Sequence, residues 1–133
     1  MHYLVDSNVI IDIVTEDPQF FDWSSSALGE AVDTGLIFVN PIIFAEVSMG
    51  FVRAEDARRC VDGLDFQYAD LPWDAAFLAG KAFTSYRRQG GTRRSPLPDF
   101  YIGAHAAVSD MTLLTRDAAR YRTYFPKLPL LAP

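Results

Sequence analysis

Short apolar runs recur along this chain between longer stretches of helical period, and that alternation constrains its fold more than any other feature. Such a pattern closes into an α/β domain around a mainly parallel sheet, because a parallel neighbour is reached only by a crossover long enough to hold a helix. The runs His2–Val5, Leu36–Val39, Phe66–Tyr68, Thr112–Leu114 and Leu128–Leu131 read as the strands of a four- to five-stranded sheet. Between them the pattern predicts helices from Ser7, with Val9, Ile10, Ile13 and Val14 facing inward, from Pro18 to about Val32, and from Pro41. Further helices are predicted over Ala54–Leu64, Trp73–Arg88, Asp99–Ser109 and Asp117–Tyr124. Gly90 and Gly91 supply a helix stop after Arg88 and begin the loop GGTRRSPLP. No repeat, linker or low-complexity tract interrupts the pattern, so residues 1–133 are expected to form a single domain.

Half of the residues are apolar, enough for one core without cross-links, and the lone Cys60 leaves neither a disulfide nor a cysteine-based metal site to consider. No apolar run approaches the roughly 18–20 residues that cross a bilayer, and the start MHYLVDSNV lacks the charged head and apolar centre of an export signal. A soluble, cytoplasmic protein is expected. The net charge of −5 argues against a general nucleic-acid coat protein. That average conceals a division: residues 1–80 hold fourteen Asp or Glu against three Arg, whereas residues 81–133 hold nine Lys or Arg against three Asp. Such asymmetry suggests a local basic face on an otherwise acidic molecule.

Four acids stand at strand ends or where the pattern is otherwise apolar: Asp6, Glu46, Asp99 and Asp117. Asp6 and Asp117 lie just past expected strand ends, and Glu46 comes about two helical turns after a third. In an open α/β sheet, side chains from several loops meet outside the carboxyl ends of the strands. Each aspartate can also serve an ordinary turn or cap, Asp6 after its strand, Asp99 after Pro98 and Asp117 at the start of a helix. Glu46 has less room for that. Its neighbours Ile42, Ile43, Phe44, Ala45, Val47 and Met49 leave almost no polar face, and a buried carboxylate needs a partner or a metal. If the four converge, hard cations must relieve their repulsion, and a set without His or Cys suits magnesium or manganese rather than zinc. His2 is terminal, and His105 on its Ala-rich helix reads as a packed or surface histidine.

Taken in order, the run Asp6-Ser7-Asn8 after the first strand, Glu46 in a short helix, Pro98-Asp99 opening a helix with Ile102, Gly103, Ala104 and Ala106, and Thr115-Arg116-Asp117 after a later strand resemble the PIN-domain ribonuclease family. The likeness covers nearly the whole chain and is nearest to the VapC-type toxins of bacterial toxin–antitoxin pairs. It implies an α/β/α sandwich and a magnesium or manganese site built by Asp6, Glu46, Asp99 and Asp117. It also implies hydrolysis of phosphodiesters in structured RNA such as tRNA, a homodimer, and a small VapB-like antitoxin partner. Gly103 and His105 depart from the Ala or other small residue more often found there.

On that footing Asp6 and Asp99 would flank the principal ion, with Glu46 and Asp117 completing the site directly or through water. Ser7, Asn8 and Thr115 would hold the carboxylates in register, in competition with plain turn and capping roles. Arg87, Arg88, Arg93, Arg94 and Arg116 flank Asp99 and Asp117 in sequence and would pair with phosphates. Tyr86, Phe100 and Tyr101 are candidates for stacking on unpaired bases, or for the core. A phospho-acceptor receiver domain using Asp70, Thr115 and Lys127 is a rival reading. It fits poorly, because such domains resemble one another by paired acids at the first strand end, where Asp6 is here followed by Ser7 and Asn8. A catalytically inactive PIN fold used only for binding is a third reading, weakened by the full set of four acids.

Overall fold

The apolar runs become five strands: β1 (His2–Val5), β2 (Leu36–Val39), β3 (Gln67–Tyr68), β4 (Thr112–Leu114) and β5 (Leu130–Leu131). The computed structural model describes residues 1–94 and 97–133, so Ser95 and Pro96 of the GGTRRSPLP loop lie outside the described residues. All five strands pair in parallel, in the order β3-β2-β1-β4-β5. Tyr3 on β1 is registered with Ile37 on one side and Thr112 on the other, which puts β1 at the centre. Covered on both faces, the central strands need no polar alternation. Leu4, Val5, Val39, Leu113 and Leu114 are all fully buried.

Helices α1 (Ser7–Val14) and α2 (Phe21–Thr34) lead to β2, and α3 (Pro41–Ser48) and α4 (Ala54–Gly63) lead to β3. The chain then returns through α5 (Trp73–Arg88) and α6 (Pro98–Val108) to β4, and α7 (Ala119–Tyr124) precedes β5. The first two crossovers step outward from β1 in one direction and the last two run in the other, so right-handed connections place α1–α4 and α5–α7 on opposite faces. This is the expected sandwich. Reversal of direction between β1 and β4 leaves a crevice outside their carboxyl ends, the place where open sheets bind ligands. Among the described residues, no helix is long and apolar enough to cross a membrane.

Local chemistry explains where the element ends fall. The Asn40 side chain caps α3 by accepting from Ile43 N at 2.8 Å, and Pro41 occupies the first turn. Gly90 takes φ +93°, and the N–H groups of Gly90 and Gly91 close α5 onto the carbonyls of Arg87 and Tyr86, the Schellman pattern. Two helices start later than the sequence predicts. The Asp17 carboxylate accepts from Gln19 N and Phe20 N at 2.9 Å each, folding residues 17–20 into a turn and delaying α2 to Phe21. Asp117 N–H is taken by the Thr115 hydroxyl at 3.1 Å, so α7 begins at Ala119 and Asp117 does not cap it.

On α1, Val14 is exposed and Asp12, unremarked in the sequence, turns inward. Its carboxylate receives Arg116 Nε at 2.7 Å and the Ser24 hydroxyl at 2.8 Å, while the Arg116 guanidinium lies 4.3 Å over the Phe20 ring. Arg116, expected to pair with phosphates, is thus engaged by Asp12 through its Nε. It ties α1 and α2 to the segment after β4, because a buried carboxylate is costly unless a cation pairs with it.

Gly103 also has a packing cause. A Cβ built there would stand 2.5 Å from the Phe125 ring and 3.1 Å from the Tyr121 ring, so α7 rests directly on the α6 backbone. Overpacking costs about 1–3 kcal/mol and alanine returns about 1 kcal/mol of helix propensity, so Gly103→Ala is expected to lose about 1 kcal/mol net. Urea unfolding measures this, and a raised midpoint would show that the rings yield freely.

Candidate active site

Asp6 follows β1 and extends its pairing, with Asp6 N donating to Leu114 O at 2.8 Å. Its side chain caps α1, Oδ1 accepting from Ser7 N at 2.8 Å, and it is only 3% exposed. Oδ2 receives two hydroxyls, Thr115 Oγ1 and Tyr121 Oη, each at 2.9 Å. Burial pushes this carboxyl up to about 6; the two hydroxyls oppose the rise, and the charges of Asp99 and Glu46 add to it. A capping aspartate and a site carboxylate are here the same residue.

Asp99 lies in the first turn of α6 behind Pro98, with Leu97 in the cap position, so it is not the cap. Tyr121 Oη is 3.2 Å from its Oδ1 and Arg120 is 3.5 Å from its Oδ2. Burial raises its pKa, Arg120 and Tyr121 hold it down, and the nearby charge of Asp117 raises it further. Glu46 is half-buried on α3, accepts from the Ser7 hydroxyl at 2.9 Å, and is likewise raised by burial and by Asp99. Asp117 sits exposed at the rim. With Asp99, Tyr86, Arg120 and Tyr124 it lines a cavity of about 450 Å³. The structure thus brings all four acids to the carboxyl end of β1 and β4. Asn8 joins them indirectly, its amide donating to Thr115 Oγ1 at 3.4 Å and accepting from Arg116 N at 3.3 Å.

An all-oxygen donor set whose members raise one another's pKa fits a hard divalent cation. Among the described residues, no three His, Cys, Asp or Glu side chains stand in a ready arrangement around a single ion. The hydroxyl of Tyr121 lies between Asp6 and Asp99 instead, and that of Ser7 is held by Glu46. Magnesium tolerates this, since it keeps several waters and binds through one or two carboxylates. His105 is no part of the set. It is buried, its Nδ1 accepts from Asn40 Nδ2 at 3.0 Å, and burial lowers its pKa, which describes a neutral packed histidine.

Of the basic residues, Arg88, Arg93 and Arg94 are exposed, and Arg87 is exposed while donating to Arg93 O. Arg120, which the sequence reading passed over, is the arginine that reaches a site carboxylate. Arg120 also flanks Asp117, three residues further on, and that proximity is the sequence signal that points to it. Phe100 is fully buried among Phe83, Tyr86 and Tyr124, so it belongs to the core and cannot stack on a base, whereas Tyr86 and Tyr124 line the cavity. Asp70 and Lys127, needed beside Thr115 by a phospho-acceptor, line two other cavities. Tyr121 carried no sequence signal beyond that of a core aromatic.

A parallel sheet that reverses direction at its centre, with acids from four segments gathered at that crevice, defines an α/β protein with an oxygen-rich site at its switch point. The chain belongs to the PIN-domain family, whose model matches residues 3–126. No curated protein sequence matches it. Among solved structures it is similar to VapBC2 from Rickettsia felis bound to a promoter DNA fragment, at 20% identity over 100% of this chain and 99% of that one, with TM-score 0.77. VapBC-1 from nontypeable Haemophilus influenzae matches at 19% identity over 99% and 98% of the two chains, with TM-score 0.74. The PIN domain endonuclease Utp24 matches at 15% identity over 99% of this chain and 84% of that one, with TM-score 0.54.

Proposed function

We propose that this chain is a magnesium- or manganese-dependent endoribonuclease acting as the toxin of a VapBC-type pair, with Asp6, Glu46, Asp99 and Asp117 as its acidic site. One observation carries the reading: side chains from the ends of β1 and β4 and from α3 and α6 crowd negative charge into one crevice, and a cation is what makes that tolerable. Membership of the PIN family supports it, as do the likenesses to VapBC complexes and to an endonuclease.

When bound, the ion would turn water into a nucleophile near neutral pH and offset charge on the phosphodiester in its transition state. Asp6 and Asp99 would hold it, with Glu46 and Asp117 contributing directly or through water. Ser7 orients Glu46, Thr115 orients Asp6, and Asn8 holds Thr115. Attack by water leaves a 5′-phosphate and a 3′-hydroxyl. Arg87, Arg88, Arg93 and Arg94 take phosphates along the basic face, and Arg120 takes one beside the acids. A charge-assisted hydrogen bond contributes about 1.5–3 kcal/mol, so Arg120→Ala is expected to raise KM for RNA about tenfold or more at saturating manganese. Initial rates check this; an unchanged KM would remove Arg120 from the RNA path.

Incubating the full chain with structured RNA tests the reading. Cleavage with magnesium or manganese, none with a chelator, and 5′-phosphate ends are expected. Stable aspartyl phosphate from a small phosphodonor without cleavage would restore the receiver reading, and RNA binding without cleavage in either metal would leave an inactive PIN module.

A VapB-like antitoxin belongs to the same proposal. Ile11, Val14, Met49 and Phe51 line an apolar cavity beside Glu46, where an amphipathic segment would bring a basic side chain to the acids. Trp73 and Phe77, exposed one turn apart on α5, offer a second copy an apolar face, in keeping with a homodimer.

A further inference from the structure

We infer that Tyr121 is the positioning residue of the acidic site, its hydroxyl spanning Asp6 and Asp99 and leaving Oδ1 of Asp6 as the atom of that carboxylate open to a cation. The inference rests on the metal-dependent reading above. Each carboxylate oxygen offers about two lone-pair positions. On Asp6, Oδ2 is filled by Thr115 Oγ1 and Tyr121 Oη at 2.9 Å each, whereas Oδ1 holds only Ser7 N at 2.8 Å. One position therefore remains, and it lies on Oδ1. The same Tyr121 oxygen is 3.2 Å from Oδ1 of Asp99. A phenol is neutral and has a single proton, so one hydroxyl facing two carboxylates sets their separation while neutralising neither, and their charge is left for an ion.

The ring that carries this hydroxyl has little freedom. Tyr121 is 1% exposed and packs against the bare backbone of Gly103, so the short helix α7 delivers the oxygen to a fixed place. Packing alone would be met by phenylalanine, which fills the same space without a donor to either acid. The hydroxyl, rather than the ring, is what serves the site.

Calorimetric titration of the full chain with Mn2+ tests this, alongside melting of the metal-free protein. Tyr121→Phe is expected to weaken Mn2+ binding by about tenfold or more, the range found for groups that orient metal ligands, while the metal-free protein still melts cooperatively. 4-Aminophenylalanine at position 121 restores a donor and is expected to recover the affinity. 4-Fluorophenylalanine fills similar space without a donor and is expected not to, and this pair decides the matter should Tyr121→Phe fail to fold. Equal Mn2+ affinity with and without the donor overturns the positioning role and leaves the metal-dependent reading standing. A parent chain that binds no Mn2+ overturns both.

Discussion

Asp99→Asn is expected to lower metal-dependent RNA cleavage by about two to three orders of magnitude while leaving the protein folded. A metal acting on a phosphodiester contributes several kcal/mol of transition-state stabilisation, and each 1.36 kcal/mol is about tenfold in rate. Asp99 is the informative acid because its contacts are long, 3.2 Å to Tyr121 and 3.5 Å to Arg120, and because it does not cap its helix. Asparagine keeps the shape and one acceptor, and it removes a negative charge from a cluster where charge is already costly. Stability should therefore hold or rise as activity falls. Asp6 would be a poorer choice, since it caps α1 and accepts two buried hydroxyls, so its loss mixes folding with chemistry. Single-turnover cleavage beside thermal melting reads both quantities. A variant that cuts as fast as the parent removes Asp99 from the catalytic set.

Metal-free protein is expected to melt higher at pH 5 than at pH 7.5, against the usual course of acid destabilisation. The cause is Asp6, which burial pushes from 3.8 to about 6 in the folded state. A raised folded pKa means that folding favours the protonated form. The resulting stability is complete below about 3.8 and is lost as pH rises through about 6. Two pKa units at about 1.36 kcal/mol each set a ceiling of roughly 3 kcal/mol, about half of it recovered at pH 5. At this chain length that is about 5 °C. Glu46 and Asp99 are displaced in the same direction by burial and add to the gain. His105 works the other way. Its pKa is lowered by burial, so its contribution is present above the unfolded value of 6.5 and falls as pH drops below it. His105 therefore opposes the gain from Asp6, Glu46 and Asp99 over this window, and the melting temperature reads the balance.

Manganese should reproduce the effect of acid at pH 7.5, because a cation relieves the same repulsion. Binding at a hundred times Kd adds about 2.7 kcal/mol, so saturating Mn2+ should raise the melting temperature by several degrees. The increment should shrink toward pH 5 as protons compete for the acids. A melting temperature that is lower at pH 5 in chelator, with no response to Mn2+ at pH 7.5, would show that the crevice does not store the electrostatic strain described.

Much of this was legible in the linear chain because burial periodicity is local. Alternating apolar runs specify strands that must be covered on both faces, and crossover length makes them parallel, which is why β1, β2 and β4 begin and end where their side chains predict. The four acids were visible for a related reason, since each interrupts an apolar pattern or follows a strand. Glu46 and Asp12 show where that visibility stops. Both are carboxylates on apolar helices, yet Asp12 is neutralised by Arg116, 104 residues away, whereas Glu46 is met by the neutral Ser7 hydroxyl and the like charge of Asp99. No spacing rule separates the two, because the partner is chosen by strand order. The same is true of Tyr121, whose phenol reads as a core aromatic until the β1–β4 pairing carries α7 across Asp6. Element type and the list of acids were written in side-chain pattern; which charges are paired, which are left facing one another and which hydroxyl stands between them depend on contacts that exist only once distant segments are brought together.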